Sequence, residues 1–171
     1  MTISLTELNH LPRPDFVARL AEVFEDSPWV AERAADARPF SAAGVMHDVM
    51  VAVVRAASAE EQLALIRAHP DLAGKMARAG GLTTASTGEQ KGAGLDRLDD
   101  AEYERFDRLN RAYREKFGFP FVIAVRGLTA ADILAAFERR LPNDPATERA
   151  AALDEIARIA RIRLERILGE A

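Results

Sequence analysis

The chain has 171 residues, 49% of them apolar and 29% charged, and carries a net charge of −4. These are the proportions of a soluble globular protein long enough to bury a sizeable core. The mild acidity argues against a broad phosphate-binding surface, and the absence of cysteine excludes a disulfide framework, a thiol nucleophile and cysteine-type zinc sites.

Ser4 and Glu7 have capping-box spacing and open a short first helix. Pro14 starts a second, expected over Asp15 to Phe24, where its missing N–H costs nothing. Phe16, Leu20, Val23 and Phe24 share one face of it. Ser27-Pro28-Trp29 repeats the order of cap, proline and helix, here to about Ala37, with Trp29 as a packing anchor. Ser41 to Ala57, carrying Val45, Met46, Val49, Val53 and Val54, predicts a broad-faced, largely buried helix. His47 on that helix is expected to be a structural histidine. Ser58 and Glu61 form another capping box, and Leu63, Leu65 and Ile66 carry the helix to His69.

His69 to Lys75 reads His-Pro-Asp-Leu-Ala-Gly-Lys, and Ser86 to Gln90 reads Ser-Thr-Gly-Glu-Gln. Between them, Ala79 to Ala85 is expected as a polar, glycine-bearing loop. A short helix is expected from Asp71 to Arg78, stopped by Gly80-Gly81. Pro70 disfavours helix at His69, so the preceding helix should end there, where its partial negative charge favours an imidazolium. Ser86 and Glu89 have capping-box spacing, which places Glu89 at a helix N-terminus facing the loop. A titratable imidazole and a carboxylate flanking a loop suit acid–base chemistry. The plainer alternative is that Pro70 breaks a helix, His69 caps it, and Glu89 caps the next one.

Asp99 to Phe117 predicts a surface helix with Tyr103, Phe106, Leu109, Asn110, Tyr113 and Phe117 as its inner stripe. Its arginines interleave with acids, as on a solvated face. Gly118 closes it. Phe119-Pro-Phe-Val-Ile-Ala-Val-Arg-Gly127 is then a buried extended or tightly wound run whose backbone groups need partners. A ligand with amide-like edges is one such partner; neighbouring loops are the other. Thr129 caps a helix from Ala130 to Arg140, and the last helix runs from about Pro145 to Leu168. Ala152, Ile156, Ile159, Ala160 and Ile167 form its inner face, and Arg163 falls at the centre of that face. An inward guanidinium needs a partner, in a structural ion pair or in a functional cavity. The expected fold is an all-α compact bundle of about nine helices forming one domain over 1–171.

No dinucleotide fingerprint, P-loop, nucleophile elbow or metal-ligand spacing occurs, so neither a metal nor a cofactor is expected. No stretch approaches the ~20 apolar residues of a membrane span. The N-terminus shows no secretory leader and the C-terminus no peroxisomal tripeptide.

Four stretches taken together resemble the OHCU decarboxylase family, whose substrate is 2-oxo-4-hydroxy-4-carboxy-5-ureidoimidazoline. They are His69 to Lys75, Ser86 to Gln90 with Ala93-Gly-Leu95, Asn110-x-x-Tyr113-x-x-Lys116-Phe-Gly118, and Phe119 to Gly127. The resemblance spans almost the whole chain. It implies an all-helical homodimer that converts OHCU to (S)-allantoin without a cofactor. It also implies that His69, Glu89 and Arg163 are catalytic and meet in one pocket. The substrate contacts it implies are Pro70, Ser86, Thr87, Gly88, Glu89, Gln90 and the run Phe121, Val122, Ile123, Ala124 and Val125. Its partner is a small ureido-imidazoline, with no nucleic acid and no membrane. Three other readings compete. They are a helical interaction module without catalysis, a nucleic-acid binder using Arg105, Arg108, Arg111 and Arg114, and a lyase or hydrolase acting on a related ureide.

Overall fold

The computed structural model describes residues 2–74, 77 and 79–170. Among the described residues the structure is all helical, with nine α-helices, one 3-10 turn and no strand. Contacts group the chain into two units, Met1–Ala68 with Ala157–Ala171, and His69–Ile156. The first holds α1 (Leu5–His10), α2 (Arg13–Leu20), α3 (Trp29–Ala34), α4 (Ala43–Ala56) and α5 (Ala59–Ala68). The second holds α6 (Thr84–Gly92), α7 (Asp100–Phe117) and α8 (Ala130–Arg140). The last helix, α9 (Pro145–Leu168), gives its residues up to Ile156 to the second unit and the rest to the first.

Local capping chemistry sets most helix starts. Ser4 with Glu7, Asp99 with Glu102 and Thr129 with Asp132 each form a reciprocal capping box. Ser58 and Glu61 do the same through bonds of 2.9 and 3.1 Å. Each box satisfies N–H groups that the first helical turn leaves without partners. Gly118 ends α7 in the left-handed conformation, φ 74°, which glycine adopts without steric cost.

Other expectations are corrected. α2 ends at Leu20 rather than Phe24, because the chain tightens there into turns such as Val23 N–H to Leu20 carbonyl, 3.0 Å. Ser27 does not cap α3 through its side chain. It is buried, its carbonyl takes the Val30 N–H at 3.2 Å, and Pro28 holds the cap position. The helix then tightens into a 3-10 turn over Ala35–Ala37. α4 buries one face only, through Ala43, Met46, Met50 and Val54, and leaves Val45 44% exposed. The expected helix from Asp71 to Arg78 includes Lys75, Met76 and Arg78, which lie outside the described residues.

In the first unit α3 packs against α2 and α4. The core there includes Leu8, Phe16, Leu20, Val30, Met46, Met50, Leu65 and Ile66. His47 has the structural role expected of it, its Nε2 lying 2.8 Å from the Ala157 carbonyl. Trp29 is half-buried, with the Arg33 guanidinium 4.7 Å above its ring. The second unit is built round an aromatic cluster. Phe121 and Phe137 stack at 3.8 Å, and Tyr113 meets both edge-on at 5.3 and 6.2 Å. On the outer side of α7, Arg105 pairs with Glu138, Arg111 with Asp107 and Arg114 with Asp71. Acids thus neutralise three of the four arginines that a nucleic-acid surface would have needed.

Candidate active site

His69 follows directly on the last residue of α5, as the proline after it requires, and is 5% exposed with its Nε2 buried. The chain beyond it forms a loop in which Ala73 has φ 51°, uncommon for a residue with a Cβ. Three side chains hold this loop. Gln90 accepts the Ala73 N–H at 2.9 Å and donates to the Asp71 carbonyl at 3.2 Å. Asn110 donates to the Leu72 carbonyl at 2.9 Å. Arg114 binds the Asp71 carboxylate at 2.8 Å. The bonds from Gln90 draw the last turn of α6 and the His69 loop together within the second unit.

The helix that carries Glu89 starts earlier than its spacing suggested. Thr83, not Ser86, is the N-cap of α6, and its hydroxyl accepts the Ser86 N–H at 3.2 Å. The tract Thr83-Thr84-Ala85-Ser86-Thr87 offers several hydroxyls, and the one a turn earlier takes the role. Glu89 therefore lies inside the helix rather than at its opening turn. Ser86 and Gln90, four apart, face inward and are buried. Glu89 is half-buried, whereas Thr87 and Gly88 are exposed.

The run 121–125 has no regular secondary structure, yet Phe121, Val122 and Val125 are buried. Its backbone is held by side chains. Arg140 donates to the Val122 carbonyl at 2.8 Å, and Glu155 accepts the Ala124 N–H at 2.9 Å. Among the described residues no hydrogen bond engages the N–H or C=O of Ile123. Arg140 in turn lies 4.4 Å above the Phe121 ring and donates to Glu148 at 3.0 Å. Glu148 is wholly buried and also accepts from Tyr113 and, at 2.9 Å, from Asn143. Burial, followed by the bond to Glu148, raises the Tyr113 hydroxyl well above its usual pKa, so it remains a donor.

Arg163 belongs to the first unit. It is buried, as the helical spacing required, and its Nη1 lies 2.7 Å from both the Glu25 carboxylate and the Glu22 carbonyl. Its partner is thus the wholly internal Glu25. Sequence reasoning did not single out Glu25, Arg140, Glu148 or Glu155. Asn110 and Gln90 did stand out as polar residues within motifs, but their grip on the 71–73 backbone did not. Among the described residues no group of three or more His, Asp or Glu side chains is arranged to hold a metal ion.

Comparison with known proteins bears on this arrangement. The family model described as OHCU decarboxylase matches residues 9–165. The chain is 46% identical to 2-oxo-4-hydroxy-4-carboxy-5-ureidoimidazoline decarboxylase of Haloferax volcanii over 98% of both chains. It is 42% identical to the uric acid degradation bifunctional protein of Bacillus subtilis, over 98% of this chain but 33% of that larger protein. Among solved structures it is similar to (S)-allantoin synthase, with a TM-score of 0.78 and 30% identity over 97% of this chain and 54% of that one. With a family model spanning nearly all of its helices and a relative matching it from end to end, the chain belongs to the OHCU decarboxylase family.

Proposed function

We propose that this protein decarboxylates 2-oxo-4-hydroxy-4-carboxy-5-ureidoimidazoline to (S)-allantoin. The observation that carries the reading is the end-to-end likeness to a relative named for that reaction. The chemistry suits the residues. Breaking the bond to the carboxylate releases CO₂, and its electron pair forms a double bond to the carbon that bears the ureido group. That carbon's C=N pair moves onto nitrogen, which takes a proton. The ring hydroxyl then gives up its proton to become a carbonyl while a proton is delivered to the ureido-bearing carbon, fixing its configuration. The substrate's own C=N is the electron sink, so the protein's tasks are orientation, charge management and proton delivery.

His69 is the proposed proton donor. Its support is the family motif, its burial and the tightly held loop beside it. Glu89 is proposed to hold the ureido N–H groups or hydroxyl. Ser86, Thr87 and Gly88 belong to the same proposed contact segment, as do Pro70 and Gln90. For Gln90 the carboxamide's bonds to the 71–73 backbone support a part in shaping the site. The backbone of Ile123 is proposed to pair with an amide edge of the heterocycle, supported by its lack of a hydrogen-bonding partner among the described residues. Arg163 is proposed to act in catalysis on the strength of the family resemblance. Clamping the leaving carboxylate would stabilise the ground state, which favours a part in polarising a ring carbonyl.

The test is to generate OHCU from urate with urate oxidase and hydroxyisourate hydrolase, then follow its decay and the optical activity of the product. The protein, dialysed against a chelator, is expected to accelerate decay and yield one enantiomer. An unchanged decay giving racemic allantoin would overturn the reading.

We also propose a homodimer in the cytoplasm, on the family resemblance alone; no helix among the described residues is long and apolar enough to cross a membrane. Sedimentation equilibrium at micromolar concentration is expected to give twice the 18.7 kDa chain mass. A monomer mass would count against it.

A further inference from the structure

We infer that Arg140 and Glu155 are positioning residues, which hold the backbone on either side of Ile123 so that its N–H and C=O face the substrate's ring amide. The inference rests on the decarboxylase reading and specifies how its recognition edge is built.

The run 121–125 has no sheet or helix to fix its register. Two side chains do that work instead, Arg140 at the Val122 carbonyl, 2.8 Å, and Glu155 at the Ala124 N–H, 2.9 Å. In extended backbone, successive residues direct their polar groups to opposite edges. Residues 122 and 124 then use one edge for the clamps, and residue 123 presents its donor and acceptor to the other. A donor beside an acceptor is complementary to a cyclic amide or ureide, whose C=O and N–H lie side by side. A single carbonyl or a carboxylate would leave the donor or the acceptor unmatched, and an unmatched buried polar group is costly.

Arg140 is itself over-determined. Its Nε binds Glu148 at 3.0 Å, and its guanidinium covers the Phe121 ring at 4.4 Å. Glu148 is then fixed by Tyr113 and Asn143. Apolar packing often matches a buried ion pair in stability, so the core alone does not call for this one. What the network supplies is a rigid fork whose Nε is held by Glu148 and whose Nη1 is aimed at a single backbone carbonyl. Lysine, a flexible point charge, cannot serve both acceptors in that geometry.

Because the Ile123 edge binds the ring before and during reaction alike, its misplacement should weaken binding more than turnover. Arg140→Lys and Glu155→Met are therefore expected to raise KM for OHCU about tenfold or more while kcat stays within about threefold. Asp99→Ala, which removes the cap of α7, is the control for plain destabilisation; it should lower the melting temperature and leave KM unchanged. A folded Arg140→Lys or Glu155→Met enzyme with wild-type KM would overturn the positioning role, as would a KM that rises in Asp99→Ala as well. If Arg140→Lys does not fold, Glu155→Met decides. Wild-type protein that fails to accelerate OHCU decay would overturn the decarboxylase reading itself and this inference with it, so the two failures are told apart.

Discussion

Replacing His69 with asparagine is expected to leave a folded protein whose turnover is slower by a factor of about a hundred or more, the usual scale of general acid–base catalysis. Asparagine has similar reach and polarity but cannot exchange a proton near neutral pH. The loop that follows should keep its shape, because Gln90, Asn110 and Arg114 hold it through four bonds of their own. If His69 only ends a helix, the change should cost about a kilocalorie per mole of stability and leave turnover nearly intact. Product stereochemistry gives a second readout that does not depend on rate. Free OHCU decays without a chiral director, so loss of the enzymatic proton donor should drive the product towards racemic allantoin. Optically pure allantoin at near wild-type rate from the folded variant would assign the proton to another group, with Glu89 the first to examine.

The largest loss of stability is expected from Arg163→Met. Arg163 and Glu25 are 3% and 2% exposed in their side chains and 2.7 Å apart. Removing the arginine takes the opposite charge from a Glu25 carboxylate that stays in the interior, at a cost of about 3–5 kcal/mol. A domain of ordinary stability, about 5–15 kcal/mol, loses a large part of its margin by that change. Urea unfolding would measure it. The double variant Glu25→Leu, Arg163→Met should recover much of the loss, since it removes the internal charge as well and leaves an apolar pair. Recovery of stability without recovery of turnover would support a catalytic part for Arg163 beyond its ion pair. A single variant within about 1 kcal/mol of wild type would show that the carboxylate finds another partner or takes up a proton at little cost.

The readable parts of the sequence were those governed by neighbours. Ser4, Ser58 and Thr129 start helices because a matching acid lies three residues on, and Gly118 stops one because its backbone tolerates φ 74°. The inward position of Arg163 was legible too, since helical periodicity decides which face a residue occupies. Its partner was not, because Glu25 lies 138 residues away in the chain. Local reasoning also failed where the signal was degenerate. Ser86 and Glu89 have the right spacing, but Thr83 caps the helix first, and spacing alone does not rank two hydroxyls. Glu148 shows a third limit. An acid in the first turn of a helix is ordinary and usually exposed. Here it is wholly buried because Tyr113, Arg140 and Asn143 converge on it.

The loop after His69 carries a consequence for how freely its own sequence can drift. Gln90 and Asn110 grip the main chain at residues 71, 72 and 73 rather than any side chain there, from 17 to 38 residues away. Exchanges of the loop's side chains leave those three bonds in place, and a glycine at position 73 would even relieve the φ of 51°. Exchanges at positions 90 or 110 break them while leaving the loop's own residues unaltered. The course of the main chain over 71–73 is thus inherited in large part from two distant amides, and within the loop it is Asp71, which binds Arg114, and Gly74, where a Cβ would meet Asp71 at 2.9 Å, that have least room to change.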